Sequence, residues 1–107
     1  MSGEREYDYR EIDDVIHGRV RLSMMAYLSS VGAADFNELK AKVGGASDGN
    51  LSVHLRKLEE AGYVVVEKGF RGRRPRTKVA LTPMGREAWI AYIARMEAFL
   101  KPAPAAE

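Results

Sequence analysis

Four stretches of the chain carry apolar residues at the spacing of helices that bury one side. The first stretch, 12–31, is predicted to contain a short helix, a break near Gly18, and then a mostly buried helix that ends at Gly32. A bridge at 33–36 leads to a second, short helix that continues through Val43. Because the helix before Gly32 has few polar gaps, we expect it to lie at the centre of the molecule.

Residues that favour helix N-caps mark where the later helices begin. Asp35 or Asn37 is a suitable cap for the second helix, and Ser47 is a suitable cap for the third. Thr82, followed by proline at the first helical position, opens the fourth. The third helix ends before Gly62, which suits the left-handed conformation that often follows a helix. The long helices are predicted over 47–61 and 83–100. The second and third helices, joined by a short glycine-containing turn, form a helix-turn-helix arrangement.

Between the third and fourth helices the pattern changes from helical to extended. Residues 63–70 are rich in β-branched and aromatic side chains, and 77–82 alternates again. The segment between them, 71–76, contains the glycine and proline of a loop. We therefore expect a two-stranded β-hairpin with an exposed tip.

The distribution of charge singles out this hairpin. The chain has a net charge of +2, but residues 68–78 contain six basic residues and no acidic one, so the rest of the chain carries −4. A basic hairpin on an acidic body directs a polyanion to one surface. A simpler interpretation is that the charges prevent edge-to-edge pairing of strands, but six unbalanced cations exceed what that requires.

Composition excludes several classes of chemistry. At 107 residues, with 46% apolar and 30% charged residues, the chain fits one globular domain. It has no cysteine and only two histidines, which argues against disulfides, thiolate catalysis and metal sites. The sequence contains no catalytic motif or phosphate-binding loop, so we expect neither enzymatic activity nor a cofactor. The N-terminus is acidic and polar, and no stretch has the length of a membrane span, so we expect a cytoplasmic protein without a membrane partner.

The third helix has a leucine stripe and an opposite polar side. On a helical wheel Leu55 and Leu58 lie within about 40° of Leu51, so these three side chains are predicted to be buried. His54 lies beside the stripe, and we expect it to be packed and hydrogen-bonded rather than to contact a base. The remaining side carries small and polar residues, as needed to enter a major groove about 12 Å wide. An ordinary amphipathic surface helix would carry the same pattern.

Four segments resemble the winged-helix transcriptional regulators of the MarR and ArsR families: VIHGRVRLSMMAYL, FNELKAKV, NLSVHLRKLEEAGYV and GRRPRTKVALTPMGR. The resemblance implies an α+β fold, mainly α, in which a winged helix-turn-helix carries a two-stranded β-hairpin wing and a C-terminal dimerisation helix. It also implies a homodimer on double-stranded DNA. The predicted DNA-binding residues of the recognition helix are Ser47, Gly49, Asn50, Ser52, Val53, Arg56 and Lys57. Those of the wing are Lys68, Arg71, Arg73, Arg74, Arg76 and Lys78.

The chain departs from both families. The cysteine-based metal sites of ArsR-like sensors are absent. The chain is also short beside MarR-like proteins, which puts a MarR-type ligand pocket in doubt. The sequence therefore leaves a small-molecule effector undetermined.

The fourth helix has a broader apolar surface than one small domain covers. Its apolar residues span roughly 140° of the helix circumference. We expect Trp89 and Ile93 to pack on the chain's own core, and the others to contact a second copy in a two-fold dimer. The predicted dimer interface comprises Tyr92, Met96, Phe99 and Leu100. Two recognition helices about one DNA turn apart, near 34 Å, predict a palindromic site.

The sequence thus predicts a homodimeric, sequence-specific DNA-binding transcriptional regulator whose recognition helix and basic hairpin project from one side. We expect a repressor, because a compact domain acts most simply by occluding a promoter. The predicted organisation is a flexible segment at 1–11, a winged-helix domain at 12–100 and a disordered tail at 101–107. The alternative is a winged-helix module whose hairpin binds RNA or an acidic protein, because charge alone does not distinguish polyanions.

Overall fold

A computed structural model describes residues 7–44 and 46–102. In chain order these residues form α1 (Arg19–Val31), β1 (Ala33–Asp35), α2 (Phe36–Lys42), α3 (Asp48–Glu60), β2 (Val64–Arg71), β3 (Arg74–Leu81) and α4 (Pro83–Leu100). A single 3-10 turn at Tyr9–Glu11 precedes them. The strands make one antiparallel sheet in the order β1-β3-β2. The predicted winged helix-turn-helix architecture, mainly helical with β2 and β3 as the wing, is confirmed.

The sheet has one strand more than the sequence predicts. Residues predicted as a bridge form β1, which pairs with β3 in the register Ala33↔Ala80 and Asp35↔Lys78. Three residues are too few to display a period of two, and alanine has little preference for strands. The strand exists because β3 supplies its hydrogen-bonding partner, and it connects the wing to the start of α2.

The segment before Gly18 is a turn and not the predicted short helix. The Asp13 carboxylate accepts hydrogen bonds from the backbone N–H groups of Val15 (2.8 Å) and Ile16 (3.1 Å). The His17 N–H reaches the Asp13 carbonyl at 2.8 Å, which closes one helical turn. An aspartate that bonds nearby N–H groups in this way offers the backbone an alternative to a longer helix. The turn inserts Ile16, which is fully buried, into the core.

One hydrophobic core joins the helices to the sheet. α1 lies at its centre, as predicted, with Met24, Met25 and Leu28 fully buried. The other buried members are Ile16, Ala34, Leu39, Leu51, Leu55, Leu58, Val64, Val79 and Tyr92. Each large side chain buried in this way contributes about 1.5–3 kcal/mol of transfer free energy. Because α3 contributes three leucines, its opposite side is held toward solvent.

Two of the predicted caps are formed as expected. Ser47 Oγ accepts a hydrogen bond from the Asn50 N–H (3.1 Å), and Thr82 Oγ1 accepts one from the Gly85 N–H (2.9 Å). Asp35 occupies the N-cap position of α2 but makes no side-chain capping bond. Its carboxylate instead contacts the wing.

α4 crosses the start of β2 at very short range. A Cβ at Gly85 would lie 2.1 Å from the carbonyl oxygen of Tyr63 and 2.9 Å from Cδ1 of Leu81. Only a glycine allows this approach. The contact fixes the rotation of α4 about its own axis, and so determines which of its side chains enter the core.

The segment before α1 lies along α4. Glu11 forms an ion pair with Arg95 (2.5 Å), and the Tyr7 ring meets the Phe99 ring edge-on with centroids 6.1 Å apart. Tyr63 donates a 2.6 Å hydrogen bond to Asp13, and burial together with this bond raises the pKa of Tyr63 to about 12. Residues 1–6 of the predicted flexible segment and 103–107 of the predicted tail lie outside the described residues.

Candidate nucleic-acid interface

α3 presents its predicted recognition residues to solvent. Leu51 and Leu58 are fully buried and Leu55 is 6% exposed, in agreement with the helical wheel. The residues predicted to contact DNA are all exposed: Ser47, Gly49, Asn50, Ser52, Val53, Arg56 and Lys57. Val53 keeps 56% of its surface accessible. The outer side of α3 is therefore open over its whole length.

His54 is held by α1, as expected for a packed histidine. The Arg21 guanidinium lies 2.8 Å from His54 Nδ1. Because arginine can only donate, Nδ1 must accept, which leaves His54 neutral with its proton on Nε2. Burial, followed by the charges of Arg21 and Lys57, lowers the pKa of His54 below its usual value. Arg21 also donates to the carbonyl oxygen of Val15, so it ties α3 to the turn before α1.

The wing has a tighter tip than the predicted loop. β2 and β3 stay paired up to Arg71↔Arg74, so that Gly72 and Arg73 alone form the turn. Gly72 has a φ of 64°, whereas no described residue other than glycine has a positive φ. A positive φ at only the first of two central residues is the requirement of a type II′ hairpin turn, which glycine satisfies. The basic segment is therefore an ordered strand pair.

Regular strands distribute the basic side chains over both faces of the wing. All six are exposed: Lys68, Arg71, Arg73, Arg74, Arg76 and Lys78. Strand alternation places Lys68 on the face that continues into the core through Val66 and Val64. Arg71, Arg74, Arg76 and Lys78 share the opposite face, and Arg73 lies at the tip. The wing can thus meet phosphates on either side of its tip.

One wing cation is paired within the chain. Arg76 Nε donates to Asp35 Oδ1 at 2.5 Å, with 40% and 30% of the two side chains exposed. Lys78 lies directly opposite Asp35 in the strand register. A contact between residues 41 positions apart has no signature in the local sequence, which is why the sequence treats all six cations alike.

α3 and the wing border one groove. Ser52 and Arg56 of α3 line a depression of about 360 Å³ together with Lys68 of β2 and Thr77 of β3. Val66 and Leu55 also line it, as do the acidic residues Asp48 and Glu59 of α3. The recognition side of α3 and the core-side face of the wing therefore open toward the same space.

α4 exposes only part of the set predicted at the dimer interface: Leu100 is open to solvent and Met96 is half-buried, and Trp89 packs against the core as expected. Tyr92, predicted at a dimer interface, is 6% exposed, and its hydroxyl lies 2.8 Å from His17 Nδ1. Phe99 is half-buried against the segment before α1. Ile93, predicted to pack on the core, is 40% exposed, and Leu100 is 73% exposed. The reason is the rotation imposed by Gly85, which turns Tyr92 inward and Ile93 outward.

The exposed side of α4 borders a shallow apolar groove of about 880 Å³. Its apolar lining comes from Leu22, Trp89, Ile93, Met96, Ala98 and Leu100, with Tyr92 at the base. No other described element covers this groove.

Other kinds of site are not found in the part of the chain that the structure describes. Residues 7–44 and 46–102 contain no group of three or more His, Asp or Glu side chains arranged to hold a metal ion. None of the described helices is both long and apolar enough to cross a bilayer.

A family model described as a winged helix DNA-binding domain matches residues 20–100. The chain belongs to this winged helix family. An uncharacterised protein of Methanocaldococcus jannaschii is 38% identical over 79 residues, which cover 74% of this chain and 85% of that protein. The predicted class of DNA-binding transcription regulators is thereby confirmed at the level of the family.

Solved structures give the same assignment. A transcriptional regulator homologue from Pyrococcus horikoshii OT3 superposes with a TM-score of 0.74 and 32% identity, over 80% of this chain and 84% of that one. A structure assigned to the MarR family of transcriptional regulators, from Enterococcus faecalis V583, gives a TM-score of 0.68 and 29% identity, over 78% and 74% of the two chains. The similarity to MarR-type regulators predicted from the sequence is therefore confirmed.

Proposed function

We propose that this winged helix protein is a sequence-specific DNA-binding transcriptional regulator in which α3 enters the major groove and the wing contacts the flanking backbone or minor groove. The observation that carries the proposal is the groove shared by α3 and the wing. Arg56 and Lys68 border it from two elements, so a duplex that receives α3 also meets the wing. Base edges reached by α3 supply sequence preference, and phosphates reached by the wing supply affinity.

The proposed DNA-binding residues remain those on the open sides of these two elements. On α3, Arg56 and Asn50 have the side chains best suited to bidentate contacts with guanine and adenine edges. Gly49 is exposed and has no side chain, so the helix backbone can approach a duplex closely at this position. On the wing, Arg73 and Arg74 project from the tip. Arg76 forms an ion pair with Asp35, so we assign it a smaller part in phosphate contact.

The functional unit that we propose is a homodimer formed through the apolar groove of α4. Ile93 and Leu100 are exposed on this helix, and Met96 and Trp89 line the same groove. A second copy related by a two-fold axis would cover these side chains with the same residues of its own α4. Two recognition helices about 34 Å apart then read a palindromic site, and occupancy of a promoter by such a dimer would repress it.

A selection of bound sequences from a random duplex pool tests the proposal. Wild-type protein is expected to enrich sites with two-fold symmetry and half-site centres about 10 base pairs apart. Arg56→Ala is expected to enrich different sequences at the position that Arg56 contacts, whereas Arg86→Ala, an exposed arginine at the start of α4, serves as the control that keeps the wild-type preference. If the protein retains RNA or an acidic protein and enriches no duplex, it is instead a winged-helix module whose hairpin binds one of those partners.

A further inference from the structure

The wing carries an exposed aromatic side chain among its cations. Phe70 precedes Arg71, whose pairing with Arg74 closes the turn, and its side chain is 75% exposed. Its partner in the register is Pro75, so two apolar side chains stand opposite each other on one face. Phe70 makes no ring contact with any other residue of the described segments. Its side chain does not contribute to the core.

The strand alternation determines which way this apolar pair faces. Going outward from the core, one face of the wing carries Val64 and Leu81, then Val66 and Val79, then Lys68 and Thr77, and finally Phe70 and Pro75. Lys68 and Thr77 line the groove shared with α3. Phe70 and Pro75 therefore extend the α3 side of the wing outward, past the last residues that border this groove. A duplex whose backbone lies over this groove would pass next to them.

We infer that Phe70 and Pro75 form an apolar pad that packs against the deoxyribose walls of the minor groove beside the site read by α3. This inference rests on the proposed DNA-binding function. The minor groove is walled by sugars, which offer apolar surface directly between two rows of phosphates. The arrangement on the wing is complementary: an apolar pair is flanked by Lys68 on its own face and by Arg71 and Arg74 on the other.

An acidic protein surface is a poorer match to the same features. An exposed phenylalanine between cations would need an apolar pocket bordered by carboxylates at matching positions, whereas every step of a duplex supplies sugars between phosphates. The spread of six cations along two paired strands also suits an extended polyanion.

Substitutions can distinguish the contribution of this apolar pad to DNA binding from that of the neighbouring cations. Phe70→Ala removes apolar contact without removing charge. The affinity for the selected duplex should therefore fall by about tenfold for each wing that contacts the DNA. A tenfold loss is the effect expected when about 60 Å² of apolar surface is no longer buried on binding. The dependence of affinity on salt should stay the same. Arg74→Ala should instead lower the slope of log K against log salt by about 0.9 for each wing. Val65→Ala, on the same strand but on the opposite face, is the matched control with unchanged binding.

A second measurement reads the contact directly. Hydroxyl radicals attack the sugars of bound DNA, so the wild-type protein should protect a short run of minor-groove sugars in each flank of the site. Phe70→Ala should lose this protection while the protection around α3 remains, and Phe70→Trp should restore it. The melting temperature of Phe70→Ala should match the wild type, because the side chain is 75% exposed.

Three outcomes would overturn the inference. Phe70→Ala could bind the duplex within twofold of the wild type at every salt concentration. It could lower the salt slope, in which case Phe70 would act only by positioning cations. It could also leave duplex binding intact while abolishing capture of an acidic protein. Failure of the proposed function itself is distinct, because the wild-type protein would then bind no duplex at all.

Discussion

Gly85→Ala is predicted to destabilise the protein strongly, although alanine is the better helix former. The added Cβ would lie 2.1 Å from the Tyr63 carbonyl oxygen and 2.9 Å from Leu81 Cδ1. Reaching an ordinary contact requires a shift of about 1 Å between two backbone segments. That shift also strains the capping bond from the Gly85 N–H to Thr82 Oγ1 (2.9 Å) and the bond from the Thr82 N–H to the Tyr63 carbonyl (3.0 Å).

The magnitude follows from these contacts. Overpacking of this kind costs about 1–3 kcal/mol, and weakening the cap adds about 1 kcal/mol. The higher helix propensity of alanine offsets about 1 kcal/mol of this loss of stability. The net loss of about 1–3 kcal/mol is a sizeable part of the roughly 5–15 kcal/mol typical of a domain. It corresponds to a melting temperature lower by about 5–15 °C.

Gly49→Ala provides the matched control. Gly49 lies in the first turn of α3, and nothing is within 4 Å of a Cβ built there. The same substitution is therefore expected to stabilise the protein, by about 0.5 kcal/mol. Urea unfolding of both variants and the wild type, monitored by far-ultraviolet circular dichroism, measures the difference. Equal stability of the two variants would refute the role assigned to Gly85. Because Gly49 faces the proposed major-groove contact, Gly49→Ala should also weaken duplex binding.

Three further predictions concern charge and association. Asp35→Asn frees Arg76, so a salt titration of duplex binding should give tighter binding and a slope steeper by up to about 0.9 for each wing. Ile93→Glu places a charge in the apolar groove of α4 and should yield monomers in sedimentation velocity with little loss of melting temperature. The pKa of His54 is lowered by burial from its usual 6.5, so the unfolded chain binds the proton more readily. The stability that neutral His54 contributes is therefore complete above about pH 6.5, and it is lost as the pH falls through the pKa of His54 in the folded protein. In urea unfolding at several pH values, His54→Gln should make the free energy of unfolding less dependent on pH.

The parts of the interface that the sequence predicts correctly are those encoded within one element. Three leucines at helical spacing determine which side of α3 is buried, and so which residues are exposed. Ser47 and Thr82 cap their helices through residues three positions away. Alternation along β2 and β3 likewise defines the wing, although pairing extends it closer to the tip than the loop residues indicate.

The parts that the sequence does not predict depend on contacts between distant residues. β1 is too short for a pattern and exists through its pairing with β3. The apolar residues of α4 cover so much of its circumference that periodicity does not determine its rotation, which is why Tyr92 and Ile93 exchange their expected places. The pair of Asp35 and Arg76 joins exposed side chains that no local pattern relates.

In the proposed complex α3 and the wing contact one duplex at the same time. Since the chain contains no cysteine, Val53→Cys and Arg73→Cys each introduce a unique thiol, on α3 and at the wing tip. A hydroxyl-radical-generating iron chelate attached to each thiol cleaves the DNA nearest to it. Both labels are expected to cleave the same selected duplex, with cleavage centres about five base pairs apart, half a helical turn. Cleavage from the α3 label alone, with none from the wing label, would contradict simultaneous contact.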